Sequence, residues 1–375
     1  MLWPGEGDLQ CPEEGEGLLS GAMEDPERGV RGLSLKALGI SAAFATRKSS
    51  SFEMEEKKRS EESEYEKKQK LFKYARDKNS ETAANHLENL KSDFDGMPSE
   101  VRDKLVKDTD ERGNTALHYA AKAGNLEICQ FLYNNGRADV NARGQYEMNP
   151  LQFAARYGDE KRPDNVWACM NWIIDIYNKN QTTNKNSVRN SGQRRLRTKK
   201  EKETIQFDIH EKDKYDFTIL HHAIQNTNWE ENPFVVEKLL ESKEFKITEA
   251  DKQGNTSLHL AAQFDKQEGH RILDIFLDNE NIPEEDLKSC IKHNNLLGKT
   301  PLHVSCGVGN PDSVDQLLMK GKELEIDVKN IINSPDKDGY HPLNLAIESG
   351  NLRMMDTLIK EGVPVTEDAF NTAAR

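Results

Sequence analysis

The sequence predicts an all-α solenoid of stacked helix-turn-helix units with finger turns, preceded by a disordered N-terminal tail. Three observations carry that reading. One phrase recurs, as "GNTALHYAAKAG" at 113–124, "GNTSLHLAAQF" at 254–264 and "GKTPLHVSCGVG" at 298–309. Its copies recur every few tens of residues, which marks an array rather than a single globular core. The chain is also polar, at 31% charged and 35% hydrophobic with a mean hydropathy of -0.83. Such a composition fits a tail plus an ordered part with much exposed surface.

In chain order, residues 1–65 read as the charged, acidic tail. Stretches such as "CPEEGEGLL" and "RKSSSFEMEEKKRSEESEYEKKQK" bury too little apolar area to offset their ordering entropy. Within the tail, "KKRS" places basic residues before Ser60, a loose candidate phosphosite. Order is expected from about 66 to 375. "LFKYARDKNSETAANHLENL" (71–90) reads as two short helices with a polar break at Lys78–Ser80, since Leu71, Phe72, Ala75, Ala83, Leu87 and Leu90 fall at helical spacing.

Beyond it the slot of Thr115 recurs at Asn149, Thr218, Thr256, Thr300 and His341, with gaps of 34, 69, 38, 44 and 41 residues. In each unit a Thr precedes the first helix, where its hydroxyl can accept a bond from an orphan N–H. Pro150, Pro301 and Pro342 follow the slot directly, where a missing N–H costs nothing. Paired small residues such as Ala120–Ala121 and Ala261–Ala262 let neighbouring helices approach. Gly124, Gly158, Gly309 and Gly350 are expected to end first helices in the left-handed conformation. A second amphipathic helix follows, as in "LEICQFLYNNG" or "LRMMDTLIKEG", and then an Asp/Asn/Gly-rich finger turn.

This T-x-L-H-x-A grammar is that of the ankyrin repeat, and the chain is identified as a member of that family. Four good copies carry it: Thr115, Leu117 and His118; Thr218, Leu220 and His221; Thr256, Leu258 and His259; Thr300, Leu302 and His303. Two degraded copies start at Asn149 and His341, and "LFKYA" resembles a terminal capping unit. The recurring histidine invites a metal or proton-transfer reading. Stacked helices lie about 8–10 Å apart, so these rings cannot converge on one ion with ligands at about 2.0–2.1 Å. The histidines are read as structural, with no metal and no cofactor.

The same sequence argues against chemistry. It holds no G-x-x-x-x-G-K-[ST], H-E-x-x-H or G-x-S-x-G motif, and "GVGN" at 307–310 falls at a helix–helix turn. Cys11, Cys129, Cys169, Cys290 and Cys306 are scattered, the pattern of free thiols in a reducing compartment. A net charge of -13 opposes a nucleic-acid partner. No enzyme is expected, and a cytoplasmic setting is.

The expected function lies in protein partners, bound on the concave face that solenoids present. The candidate contact residues are at the finger turns: Arg112, Tyr146, Tyr215, Lys252, Leu297 and Lys337. The pair Leu296–Leu297 is unexpectedly apolar there, either a partner contact or tucked under its neighbour. The 69-residue gap is read as a repeat carrying a basic loop insertion at 178–214, "NKNQTTNKNSVRNSGQRRLRTKKEKE". A solvated loop, an acidic-partner or phosphoinositide contact, a nuclear-import address and a kinase site all fit it, the last with Thr198 after Arg195. At the C-terminus, "AFNTAA" repeats the start of a first helix, so 366–375 reads as an incomplete repeat of a fragment or truncated form.

The capping unit, "DERGNTALHYAAKAGNLEICQFLYNNGRADVNARG" and "LLGKTPLHVSCGVGNPDSVDQLL" together resemble the N-terminal array of ankyrin-type transient receptor potential channels. That resemblance implies a cytosolic module at the inner face of the plasma membrane, in a homotetrameric, Ca²⁺-permeable cation channel. Its repeats would serve subunit assembly and couple stimuli to gating, and the membrane would be reached only through a region after Arg375. The basic insertion departs from that pattern. The alternative is a soluble adaptor that holds a protein partner.

Overall fold

The structure is a computed structural model, and it describes residues 63–364 except 160, 190–208, 227–232 and 265–271. The expected tail therefore lies outside the described residues apart from 63–65, which begin a helix. Ser60, Thr198 and the incomplete repeat at 366–375 lie outside them as well.

The array opens with α1 (63–76) and α2 (Ser80–Asp95), broken at 77–79 as the sequence predicts. A short α3 (Ser99–Lys107) leads into the repeats. These are α4 (Ala116–Ala123) with α5 (Leu126–Gly136), α6 (Pro150–Tyr157) with α7 (Pro163–Arg189), and α8 (Ile219–Ile224) with α9 (Phe234–Glu241). Then come α10 (Ser257–Phe264) with α11 (Ile272–Leu277), a short α12 (Glu284–Lys292), and α13 (Pro301–Val308) with α14 (Pro311–Glu323). A short α15 (Val328–Ile332) precedes α16 (Pro342–Glu348) and α17 (Leu352–Lys360).

First helices stack in one row, α4 on α6 on α8 on α10 on α13 on α16. Second helices form the other layer, with α5, α7 and α9 in sequence and α11, α14 and α17 in sequence. The core runs between the rows. Leu117, Leu151, Leu220, Leu258, Leu302 and Leu343 take the same place in successive first helices, each buried. Burying one such side chain stabilises by about 1.5–3 kcal/mol. Ala120, Ala121, Ala154, Ala155, Ala261 and Ala262 are buried beside them and let adjacent helices close.

Three expectations need correction. The segment read as a loop from 178 begins as helix, because α7 continues to Arg189. Helix propagation costs little once nucleated, and no Gly or Pro interrupts the chain before Gly192. Its far end, from Ile209, is also ordered: Ile209 is buried and Asp213 opens a finger turn. Second, Gly124, Gly309 and Gly350 have positive φ (73°, 89° and 69°), but Gly158 sits at φ -57°, because an extended link follows α6 there. Third, Leu296 and Leu297 are not tucked away. They are 60% and 56% exposed.

The irregular gaps of 44 and 41 residues also gain a cause. Each contains an added short helix, α12 or α15, between the second helix and the next finger, in the place α3 takes before the first repeat. α12 has a legible pattern that the sequence reading passed over: Glu284, Glu285 and Asp286 in the first turn, then Leu287, Cys290 and Ile291 buried at helical spacing.

Candidate protein-interaction face

Each finger is built around one acceptor five residues before the capping slot. Asp110 Oδ1 accepts from the N–H groups of Arg112 (3.0 Å) and Asn114 (2.9 Å). Asp213 does the same for Tyr215 and Phe217, Asp251 for Gln253 and Asn255, Asn295 for Leu297 and Lys299, and Asp336 for Asp338 and Tyr340, all between 2.8 and 3.0 Å. Only the Asn149 repeat lacks it, with Gly144 in that place. Four of them, Asp110, Asp251, Asn295 and Asp336, head finger turns whose residues are expected to be exposed, yet Asp213, Asp251, Asn295 and Asp336 are buried.

Fingers are tied to one another by backbone bonds. Lys214 N–H donates to Tyr146 O (3.0 Å), Lys252 to Tyr215 O (3.0 Å), Leu296 to Gln253 O (2.8 Å) and Lys337 to Leu297 O (2.9 Å). At the N-terminal end Gln145 N–H donates to Asn114 Oδ1 (2.8 Å). The row is thus held in register by the tips themselves. Two fingers are also fastened to their own first helix. Tyr119 Oη donates to Asp110 Oδ2 (2.6 Å), and His222 Nε2 stands 3.1 Å from Asp213 Oδ2, both side chains buried. Burial opposes the charged form of Asp110, yet the bonds from Tyr119, Asn114 and Arg112 hold its carboxyl below the usual range. For His222, burial lowers the pKa and Asp213 only partly offsets it.

The four motif histidines repeat one arrangement. His118 Nδ1 accepts from Thr115 N–H (3.1 Å) and lies 2.9 Å from Thr115 Oγ1, while Nε2 faces Met148 O of the next finger (3.1 Å). His221, His259 and His303 do likewise toward Asn255 O, Lys299 O and Ser334 O, at 3.3, 3.0 and 3.1 Å. An Nδ1 that accepts a backbone N–H leaves the proton on Nε2, so each ring is the neutral Nε2–H tautomer. Burial lowers the pKa of His118, His259 and His303 to about 4 and of His221 to about 3. Thr218 and Thr300 Oγ1 accept from the His221 and His303 N–H groups (3.5 and 3.4 Å). In the repeat called degraded, Gln152 takes over the work: its Oε1 accepts from Asn149 N–H (2.9 Å) and its Nε2 donates to Glu211 O (2.7 Å).

Of the finger residues expected to meet a partner, Arg112, Lys252, Leu297 and Lys337 are exposed and Tyr146 and Tyr215 half-buried, their rings 5.9 Å apart. Tyr146 has φ 58°, in the left-handed region, which turns it toward the tip. No group of three His, Cys, Asp or Glu suited to a metal occurs among the described residues. Cys129, Cys169, Cys290 and Cys306 are buried. Burial pushes the Cys290 thiol up to about 12, and those of Cys129 and Cys306 up as well, so these three are not ready nucleophiles.

Two rows of stacked helices with a bonded row of fingers define a helical-repeat solenoid. The chain belongs to the ankyrin-repeat family: a family model described as "Ankyrin repeats (3 copies)" matches residues 73–180 and 266–368, more than half of the chain. A segment is 32% identical over 74 residues to alpha-latrotoxin-Lg1a of Latrodectus geometricus, covering 20% of this chain and 5% of the toxin. Another is 30% identical over 139 residues to the probable 26S proteasome regulatory subunit p28 of Saccharomyces cerevisiae, covering 37% of this chain and 55% of that subunit. The matched part is thus about half of the proteasome subunit and a twentieth of the toxin. Among solved structures, one chain of a complex of a predatory endopeptidase from Bdellovibrio bacteriovorus with its immunity protein aligns over 68% of this chain and 100% of that chain, at TM-score 0.44 and 22% identity. No helix among the described residues is long and apolar enough to cross a membrane. The chain is a protein-interaction module of the ankyrin class.

Proposed function

We propose that this chain is a non-catalytic adaptor that holds a protein partner along its fingers and first-helix face. One observation carries the reading. The finger row is bonded tip to tip, yet it spends that rigidity on exposing Lys252, Leu296, Leu297 and Lys337 instead of burying them. A pre-ordered row of exposed tips lowers the ordering cost of binding, and two adjacent leucines more than half exposed supply an apolar centre with a charged rim. The likeness to a regulatory subunit of a larger assembly agrees with this role. The matched relatives lend nothing to the channel-module reading, and the adaptor takes its place.

The test is a pull-down from cells expressing the full chain, comparing it with a variant carrying Lys252→Ala, Leu297→Ala and Lys337→Ala. These exposed side chains contribute little to folding, so the melting curve should be retained. Proteins captured by the parent chain and lost by the variant are the expected result. An identical set captured by both overturns the reading.

A further inference from the structure

The first helices share one geometry, so residues a fixed distance past each capping slot line up across the array. Seven positions on, the column reads Lys122, Arg156, Gln225, Gln263, Gly307 and Glu348, none of them buried. The charge therefore changes sign along the face, from cationic at the N-terminal end to anionic at the other. Arg76 of α1 extends the cationic end. Its guanidinium lies 4.1 Å from the Tyr119 ring centre and 5.6 Å from that of Phe72, and 3.3 Å from Asp110 Oδ2. Lys122 Nζ stands 5.3 Å from the Tyr157 ring and 5.9 Å from that of Phe153. The Arg156 guanidinium stands 6.0 Å from Tyr157 and donates to Gln225 O. Helix α1 and the first two helices of the row, α4 and α6, each seat a cation against aromatic rings. Ring faces attract a cation and hold its long side chain in place while leaving the head near solvent.

We propose that this end of the first-helix face docks an acidic, extended segment of a partner protein, with a carboxylate at about every third residue. The inference rests on the protein-binding reading and names the partner's chemistry. Packed helices stand about 8–10 Å apart, and an extended segment in the polyproline II conformation advances about 3.1 Å per residue with three residues per turn, so one repeat matches three residues and every third side chain faces the same way. The cations at Arg76, Lys122 and Arg156 then meet residues i, i+3 and i+6. Gln225 and Gln263 continue the path with neutral hydrogen-bonding groups, and Glu348 rejects a carboxylate at the far end, which sets direction. A nucleic-acid strand fits less well. Each of its residues carries a phosphate, spaced about 3.4 Å along the axis in a duplex strand, so three cations one repeat apart would neutralise only a minority of the charge drawn in.

The experiment is fluorescence anisotropy with the full chain and three labelled peptides of about ten residues. One carries Glu at every third position, and in the others Gln or Lys replaces Glu. Deoxythymidine oligonucleotide of similar length is the fourth probe. The Glu peptide is expected to bind roughly tenfold tighter than the Gln peptide, with no binding by the Lys peptide and weakening as salt is raised. Arg76 is shared with Asp110, so the variant is placed at Lys122. Lys122→Glu should weaken the Glu peptide roughly tenfold. Lys122→Gln, which keeps much of the aliphatic stem on Tyr157, should weaken it less with an unchanged melt, and Glu348→Lys should not weaken it. Equal binding of Glu and Gln peptides, or no effect of Lys122→Glu in a folded chain, overturns the proposal while leaving the adaptor reading intact. Tighter binding of the oligonucleotide than of the Glu peptide overturns it in favour of a nucleic-acid face. The adaptor reading fails separately, on the finger-variant pull-down.

Discussion

Replacing His118 separates its two consequences for the fold, a bonding role and a titration. The ring accepts from Thr115 N–H and donates to Met148 O in a fully buried site. His118→Leu leaves Thr115 N–H without a partner, while Met148 O keeps the bond from Gly144 N–H (2.9 Å). An orphaned buried group costs about 1–3 kcal/mol, so a loss of that size is expected at pH 8. His118→Gln should restore both bonds, since Gln152 makes the same pair in the next repeat, and stay within about 1 kcal/mol of the parent. Acid then distinguishes them further. Burial lowers the His118 pKa to about 4 in the folded chain, against about 6.5 unfolded. The folded state binds the proton less well, so this stability is fully present above the unfolded value and is lost as pH falls from about 6.5 toward 4. At pH 5 the drop spans about 1.5 units, or about 2 kcal/mol. The Gln variant has no such group and should be the more stable protein at pH 5, by about 1–2 kcal/mol. Urea denaturation followed by the fluorescence of Trp167 and Trp172, on α7 against the core that α4 shares, reads the local repeats. A gap between parent and Gln variant that is the same at pH 8 and pH 5, or a Leu variant without cost, refutes the argument.

Three other outcomes follow from the fingers and core. Asp251→Ala removes the acceptor for two N–H groups and should lower stability by about 1–3 kcal/mol in urea. Gly254→Ala should cost more than Gly339→Ala, although both have φ near 80° (76° and 85°), because a Cβ at 254 meets the Leu296 nitrogen at 2.8 Å and one at 339 meets nothing within 4 Å. Their paired thermal melts should differ accordingly, and equal melts would disprove the tip contact as the cause. Leu258 is fully buried. Leu258→Ala should cost about 2–5 kcal/mol, and Leu258→Asp should abolish the helical circular dichroism of the adjoining repeats.

What was legible in the sequence was whatever depends on residue type at a fixed local spacing. Thr300, His303 and Gly309 stand at a cap, a bridge and a helix end within ten residues of one another. The Asn149 copy looked degraded because a different amino acid supplies the same donor and acceptor; hydrogen-bonding capacity, not the letter H, is what the slot requires. Asp110, Asp213, Asp251, Asn295 and Asp336 stood in plain view but resembled generic turn residues, since their role depends on two backbone N–H groups that sequence does not display. The extension of α7 past Tyr177 was hidden for the opposite reason. Its apolar periodicity ends there, while its backbone bonding continues to Arg189 without it.

The placing of the irregular segments explains why a face can be read across so uneven an array. α3, α12 and α15 all lie between a second helix and a finger; they pack on the second-helix layer, α3 on α5 and α12 and α15 on α14, while α3 and α12 also touch the first helix that follows, α4 and α13. The longest gap between slots, 69 residues, likewise holds its extra length after the start of a second helix, in the extension of α7 to Arg189 and beyond. None enters the stretch from finger to first helix, where five residues separate Asp or Asn from the capping slot in every repeat that has one. An insertion there would shift the following helix out of step with its finger and break the bonds that carry Tyr146 to Lys214 and Leu297 to Lys337. Length is therefore absorbed on one side of the solenoid, and the register of the other side is kept. That kept register is what lets Arg76, Lys122 and Arg156 form a line instead of three unrelated surface charges.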